Sequence, residues 1–174
     1  GKHSIEGLGI TFLGIIYIAL PFGLLNYFTG TLQDASSSYT SYNAGFLIGF
    51  FILQWVYDIF AYLGGRFFGK KRLLPEISPQ KTWEGIIIGG LFALASVLFV
   101  NYIVYSAGLF SWVLVALIII IFGTLGDLAE SMIKRFADVK DTGNIFPGHG
   151  GVLDRFDGLL FSSPAVFIYY MIVL

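Results

Sequence analysis

No cysteine occurs among the 174 residues, which excludes disulfides and thiolate-bound metals alike. Charge is scarce as well. Only 12% of residues are Asp, Glu, Lys or Arg, about half the share of a soluble domain, so a free-standing soluble globule is excluded. Internal repeats, low-complexity tracts and linker-like stretches are missing too, which argues against a solenoid or a string of modules. A net charge of −1 gives no reason to expect a nucleic-acid partner. What remains is apolar: 56% of residues are hydrophobic and the mean hydropathy is +0.81. That balance is the signature of a membrane protein.

A hydrocarbon core of about 30 Å takes roughly 20 apolar residues as a helix. Such runs lie near 8–28, 44–63, 86–105 and 109–128, with a shorter fifth near 158–174. The fold expected is an all-α, polytopic bundle of about five spans, and residues 1–174 are read as one domain. Open sheet edges within the runs are excluded, because lipid offers their peptide groups no partner. The N-terminal GKHSIEG carries one lysine ahead of a run of span length and is followed by no small-residue cleavage site, so a retained helix is expected rather than a signal peptide.

Five alternating crossings put 1–7, 64–85 and 129–157 on one side and 29–43 and 106–108 on the other. All 10 basic residues then fall on the first side, which marks it as cytoplasmic. The opposite loop, TGTLQDASSSYTSYNAG, reads as a solvated connector. Trp55, Trp83 and Trp112 are expected near span ends, as interfacial or packing aromatics.

Function must therefore be sought in the two large cytoplasmic segments. In LLPEISPQKTWEG, Ser78 and Pro79 read as an N-cap and first-turn pair, so a helix is expected to start there with Lys81 and Thr82 in its first turn, a seat for phosphate. The plainer alternative is a helix start whose lysine reaches lipid headgroups. Glu84, about one turn into the span, calls for a partner or a cation. Asp58 falls within the second run; it is either a functional acid or the partner of Arg66 or of a backbone donor. Lys70, Lys71 and Arg72 suit anionic headgroups.

The segment SMIKRFADVKDTGNIFPGHGGVLDRFD, residues 131–157, holds eight of the 21 charged residues. Just upstream, Asp127 is i−4 to Ser131 and i−7 to Lys134, a spacing that stacks them on one helical face, with Glu130 and Arg135 beside them. Asp154 and Asp157 share a face at the start of the last helix. Acids from two helices, without cysteine and with one nearby histidine, His149, form a hard oxygen set suited to Mg²⁺. The surrounding lysines and arginines suit anionic oxygens, so the mixture points to a nucleotide or polyphosphate with its metal. The alternative is a solvated loop whose charges pair off among themselves. His149 is either a base, a phosphate donor or a loop hydrogen-bonder.

The spaced polar positions of 131–157, together with GDLAES and SPQKTWEG, resemble the motifs of the phosphatidate cytidylyltransferases, or CDP-diacylglycerol synthases. The likeness covers essentially all of this chain but only the C-terminal part of a typical member, which carries further N-terminal spans. DIFAY, at Asp58, stands where Asp-Thr/Ser-x-Ala-Tyr is more usual. The resemblance implies a multi-pass cell-membrane enzyme, active at the cytoplasmic face, that transfers CMP from CTP to phosphatidic acid. It further implies Asp127, Asp154 and Asp157 as metal acids for Mg²⁺, with K⁺ a candidate to share the site. Lys134, Arg135 and Lys140 would handle phosphates; Ser78, Lys81, Thr82, Ser131, Asp141, His149, Arg155 and Asp58 complete the substrate-binding set. The lipid bilayer is the third expected partner after CTP and phosphatidic acid, and a homodimer is left open. Two enzymatic alternatives are a CDP-alcohol phosphotransferase, whose Asp-Gly-x-x-Ala-Arg order DIFAYLGGR lacks, and a CTP-dependent lipid kinase, from which CDP rather than pyrophosphate would leave. A channel or transporter subunit is the non-enzyme alternative, but the centres of the runs carry no charge.

Overall fold

The computed structural model describes residues 2–29, 31–32, 41–42, 44–104, 107–139, 142–143, 151 and 153–173. The element order is α1 (Lys2–Leu25), a 3₁₀ turn (Asn26–Thr29), β1 (Thr31–Leu32), β2 (Ser41–Tyr42), α2 (Gly45–Phe68), β3 (Arg72–Leu74), β4 (Ser78–Thr82) and α3 (Trp83–Ile103). It continues through α4 (Gly108–Ile118), a π-helical segment (Ile119–Gly123), α5 (Thr124–Phe136), a second 3₁₀ turn (Leu153–Arg155) and α6 (Asp157–Val173).

Four helices are long and apolar enough to cross a membrane: Gly7–Thr29, Gly45–Phe68, Trp83–Ile103 and Gly108–Phe136; α6 is a shorter apolar helix. Its 17 residues reach about 25 Å at 1.5 Å per residue, a little less than the hydrocarbon core. The chain is a polytopic, nearly all-helical membrane protein. Large apolar side chains such as Ile10, Leu98 and Ile172 are well exposed on its flanks, as a lipid-facing surface requires.

One sequence expectation is corrected. The third span does not start at Ser78. Residues 78–82 form β4, paired antiparallel with β3 through Arg72↔Thr82 and Leu74↔Ser78, and the helix starts at Trp83 behind an extended Thr82 N-cap whose Oγ1 accepts from Gly85 N at 3.2 Å. The reason is local: a residue before proline is pushed toward extended conformations, and Pro79 itself is tolerated in an edge strand. The helix of the fourth run continues past its apolar stretch to Phe136, as the helical spacing of Asp127, Ser131 and Lys134 requires. Of the two readings given for Trp112, packing is the one found. It is fully buried, stacked on Phe46 at 5.0 Å.

Packing divides the bundle into two halves. At one end Phe28, Phe46, Phe50, Trp112, Val100 and Val115 make a dry aromatic and aliphatic core. Toward the other end α2 and α3 come together backbone to backbone: a Cβ on Gly85 would stand 2.6 Å from the Ala61 carbonyl oxygen, and one on Gly89 would stand 2.8 Å from the Ala61 Cβ. Small residues of this kind let spanning helices approach where lipid removes any hydrophobic drive to associate. The second end is where the polar side chains gather.

Candidate active site

A cavity of about 920 Å³ opens at this end, walled by the C-terminal half of α2, by β4, by the start of α3, by α5 and by the turn into α6. Asp58, Ser78, Lys81, Thr82, Ser131, Asp127, Asp154, Arg155 and Asp157 all line it. Residues spread over a hundred positions of sequence therefore meet in one place. Lys134 and Arg135 stand outside its wall. Lys140, Asp141 and His149 lie outside the described residues.

Lys81 reaches from β4 to form an ion pair with Asp127 on α5. Asp127 also touches Asp157, carboxyl to carboxyl. The approach depends on Gly126, where a Cβ would lie 2.6 Å from the Asp157 carbonyl oxygen. Two carboxyls in contact either share a proton or need a cation between them to be ionised together, and a single ammonium beside one of them does not neutralise both.

Further along α5, Lys134 bridges Glu130 at 2.7 Å and Asp154 at 2.9 Å. Glu130 is buried, so its charge depends on that ammonium. Asp154 also accepts from Gly151 N at 2.7 Å, from Thr142 N at 2.9 Å and from Thr142 Oγ1 at 2.9 Å. Burial opposes its ionisation, but the Lys134 bond and then the Gly151 and Thr142 donors outweigh it and hold the carboxyl well below the usual carboxylate range. Lys134 is thus committed to acids rather than turned to the cavity, although the helical spacing with Asp127 and Ser131 is as expected. Arg135 Nε donates to Ile77 O at 3.5 Å and ties the end of α5 to the β3–β4 hairpin.

Among the described residues no three carboxylates or histidines are grouped so as to hold a metal ion. Asp127 and Asp157 are a touching pair, and Asp154 is occupied by Lys134, Thr142 and Gly151.

Asp58 is not the partner of Arg66. Gln54 Nε2 donates to both of its carboxylate oxygens at 3.2 Å. Gln54, itself buried, accepts from Ser162 Oγ at 2.8 Å. The carboxylate fixes which end of the amide faces Asp58, because it only accepts and the NH₂ alone can donate, which leaves the amide oxygen to the Ser162 hydroxyl. Arg66 instead donates to Tyr62 Oη at 3.4 Å. Glu84 accepts from the backbone N–H groups of Lys70 at 3.1 Å and Lys71 at 3.2 Å. Its partner is peptide, and it clamps the end of α2 to the start of α3. Tyr57 Oη and Thr124 Oγ1 are hydrogen-bonded across α2 and α5, next to the π-helical segment, an irregularity frequent at functional sites.

Sequence reasoning passed over Gln54, Thr142 and Tyr57, and placed Glu130 beside the Asp127, Ser131 and Lys134 face without giving it a role. Gln54 and Glu130 carry a visible signal, a polar residue within an apolar helical run; Thr142 and Tyr57 carry none, since hydroxyls are common in loops and at interfaces.

Comparison with known proteins identifies relatives of the chain. A family model described as the Cytidylyltransferase family matches residues 1–173. A phosphatidate cytidylyltransferase of Haemophilus influenzae is 39% identical over 160 residues, covering 87% of this chain and 55% of its own length. That of Bacillus subtilis is 38% identical over 181 residues, 98% of this chain and 60% of its own. That of Staphylococcus aureus is 49% identical over 121 residues, 66% of this chain and 44% of its own. The chain spans about half the length of the curated relatives it matches. With a match over nearly its whole length and residues of both motif segments meeting in one cavity, the chain belongs to the Cytidylyltransferase family.

Proposed function

We propose that this chain carries the catalytic part of a phosphatidate cytidylyltransferase, transferring CMP from CTP to phosphatidic acid to give CDP-diacylglycerol and pyrophosphate. The observation that carries the reading is the cavity at the end of the bundle, where acids and bases of both motif segments meet beside lipid-exposed side chains. A nucleotide needs the polar floor, and a lipid phosphate needs access from the bilayer. The names of the relatives point the same way. We assign the cavity to the cytoplasmic face because all 10 basic residues sort to that side under alternating crossings.

A phosphate oxygen of phosphatidic acid attacks the α-phosphorus of CTP in line; the new P–O bond forms as the bond to the bridging oxygen of the pyrophosphate breaks. No covalent enzyme intermediate is required. The protein contributes positioning and charge neutralisation. Lys81 supplies positive charge at the floor, Arg155 stands at the turn into α6 and Ser131 offers a hydroxyl. The donor set fits a hard divalent cation, since the touching carboxyls of Asp127 and Asp157 need one for both to ionise. Mg²⁺ held by Asp127 and Asp157 would neutralise charge on the departing pyrophosphate. Asp154, the third acid of the motif, stands one salt bridge away and keeps Lys134 in register with Glu130.

Purified protein in detergent, given CTP, phosphatidic acid and Mg²⁺, is expected to form CDP-diacylglycerol and pyrophosphate in equal amounts. Asp157→Asn should lower the rate by about 10²-fold or more, a typical cost of removing a preorganised electrostatic group, and EDTA should abolish it. Release of CDP, or turnover surviving both treatments, would reject the reading.

A further inference from the structure

The cavity has a second kind of wall. Trp55, Ile59 and Tyr62 of α2 line it, yet they are 57%, 55% and 60% exposed. Arg66, also in the wall, follows on the same face and hydrogen-bonds to Tyr62. The spacing i, i+4, i+7, i+11 makes these four one stripe along a helix. From Trp55 to Arg66 the stripe rises about 16 Å at 1.5 Å per residue, roughly the depth of one leaflet of a 30 Å hydrocarbon core. It is apolar for most of its length and cationic at the end where α2 leaves the membrane. That is the profile of one phospholipid: chain within, phosphate at the surface.

We propose that this stripe seats the lipid substrate, with an acyl chain along Trp55, Ile59 and Tyr62 and the phosphate held by Arg66. The inference rests on the reading above that the acceptor is a lipid phosphate, and it assigns that acceptor a seat apart from the nucleotide floor at Lys81 and Asp127. Asp58 lies on the cavity side of the same helix and repels an anion, so the phosphate settles near Arg66, about 12 Å further along α2. Arg66 suits a phosphate, because a guanidinium forks onto two of its oxygens and keeps its charge at any physiological pH. The lateral exposure of the stripe lets the lipid enter from the bilayer without leaving it.

The test is fluorescence quenching of Trp55 in the full chain, in vesicles of unlabelled phosphatidylcholine, with Trp83→Phe removing the other exposed tryptophan and Trp112 buried in the core. Phosphatidic acid with brominated chains should quench several-fold more strongly than brominated phosphatidylcholine at the same mole fraction. Arg66→Ala should raise the phosphatidic acid needed for half-quenching about tenfold, the loss of one charge-assisted contact, and Arg66→Lys should restore part of it. Added CTP should leave the quenching in place; relief by CTP would assign Arg66 to the nucleotide instead and overturn the proposal. Equal quenching by both lipids would also overturn it, and so would none, the result expected if another protein segment covers the stripe. In turnover, Arg66→Ala should raise KM for phosphatidic acid and leave KM for CTP unchanged. Selective quenching without CMP transfer would uphold the lipid seat and reject the proposed reaction.

Discussion

Gln54 is the residue whose position says most about how the site is held. Its amide donates to Asp58 and accepts from Ser162, linking α2 to α6 beside the cavity. Gln54→Leu keeps the size but orphans both partners. Thermal unfolding in detergent should show a loss of about 1–3 kcal/mol, with Gln54→Glu worse because it sets two acids face to face; a neutral result for both would mean that Asp58 needs no positioning. Lys134→Met should cost more, about 3–5 kcal/mol, because Glu130 is left buried with its charge uncompensated. Asp154 gives a pH dependence of definite sign. Its folded pKa is depressed, so its contribution to stability is complete above the unfolded value of about 3.9 and is lost as pH falls through it toward the folded value. The stability advantage of the natural protein over Asp154→Asn should therefore be full at pH 7 and shrink below about pH 4; an advantage that grew with acid would contradict the bonding described.

Among the elements, the helices were legible in the sequence because their apolar runs are long and span length leaves few alternatives. Alternation of sides also brought the segments around Lys81, Asp127 and Asp154 to one end, as found. The β3–β4 hairpin was not legible. Ser-Pro marks a helix start in one context and an extended strand in another, and only the pairing with Arg72–Leu74 separates them. Arg135 was misplaced for a related reason: helical spacing says which face a side chain leaves from, not that a neighbouring carbonyl, here that of Ile77, takes it up. The contact of α5 with α6 carries its own prediction. Gly126→Ala forces a Cβ against the Asp157 carbonyl, so the two carboxyls part. Helix content by circular dichroism should stay near that of the natural chain while activity falls at least about tenfold; unchanged activity would show that the Asp127–Asp157 contact is dispensable.

In the molecule as a whole, a dry aromatic core braces one end of the bundle and a charged cavity occupies the other, with lipid-facing side chains in its wall. The division explains how a chain with 12% charged residues concentrates them without losing its lipid compatibility. The absence of natural cysteine makes sidedness directly measurable. A single cysteine at Lys70 should react with a membrane-impermeant maleimide only from the cytoplasmic side, and reaction from outside would invert the assigned orientation. On the proposed reading Asp127 and Asp157 together hold a divalent cation in this cavity. Electron paramagnetic resonance of Mn²⁺ titrated into the purified protein tests it most directly. One bound ion is expected, with affinity reduced about 10–100-fold in either Asp127→Asn or Asp157→Asn; binding that is unchanged in both variants would contradict it.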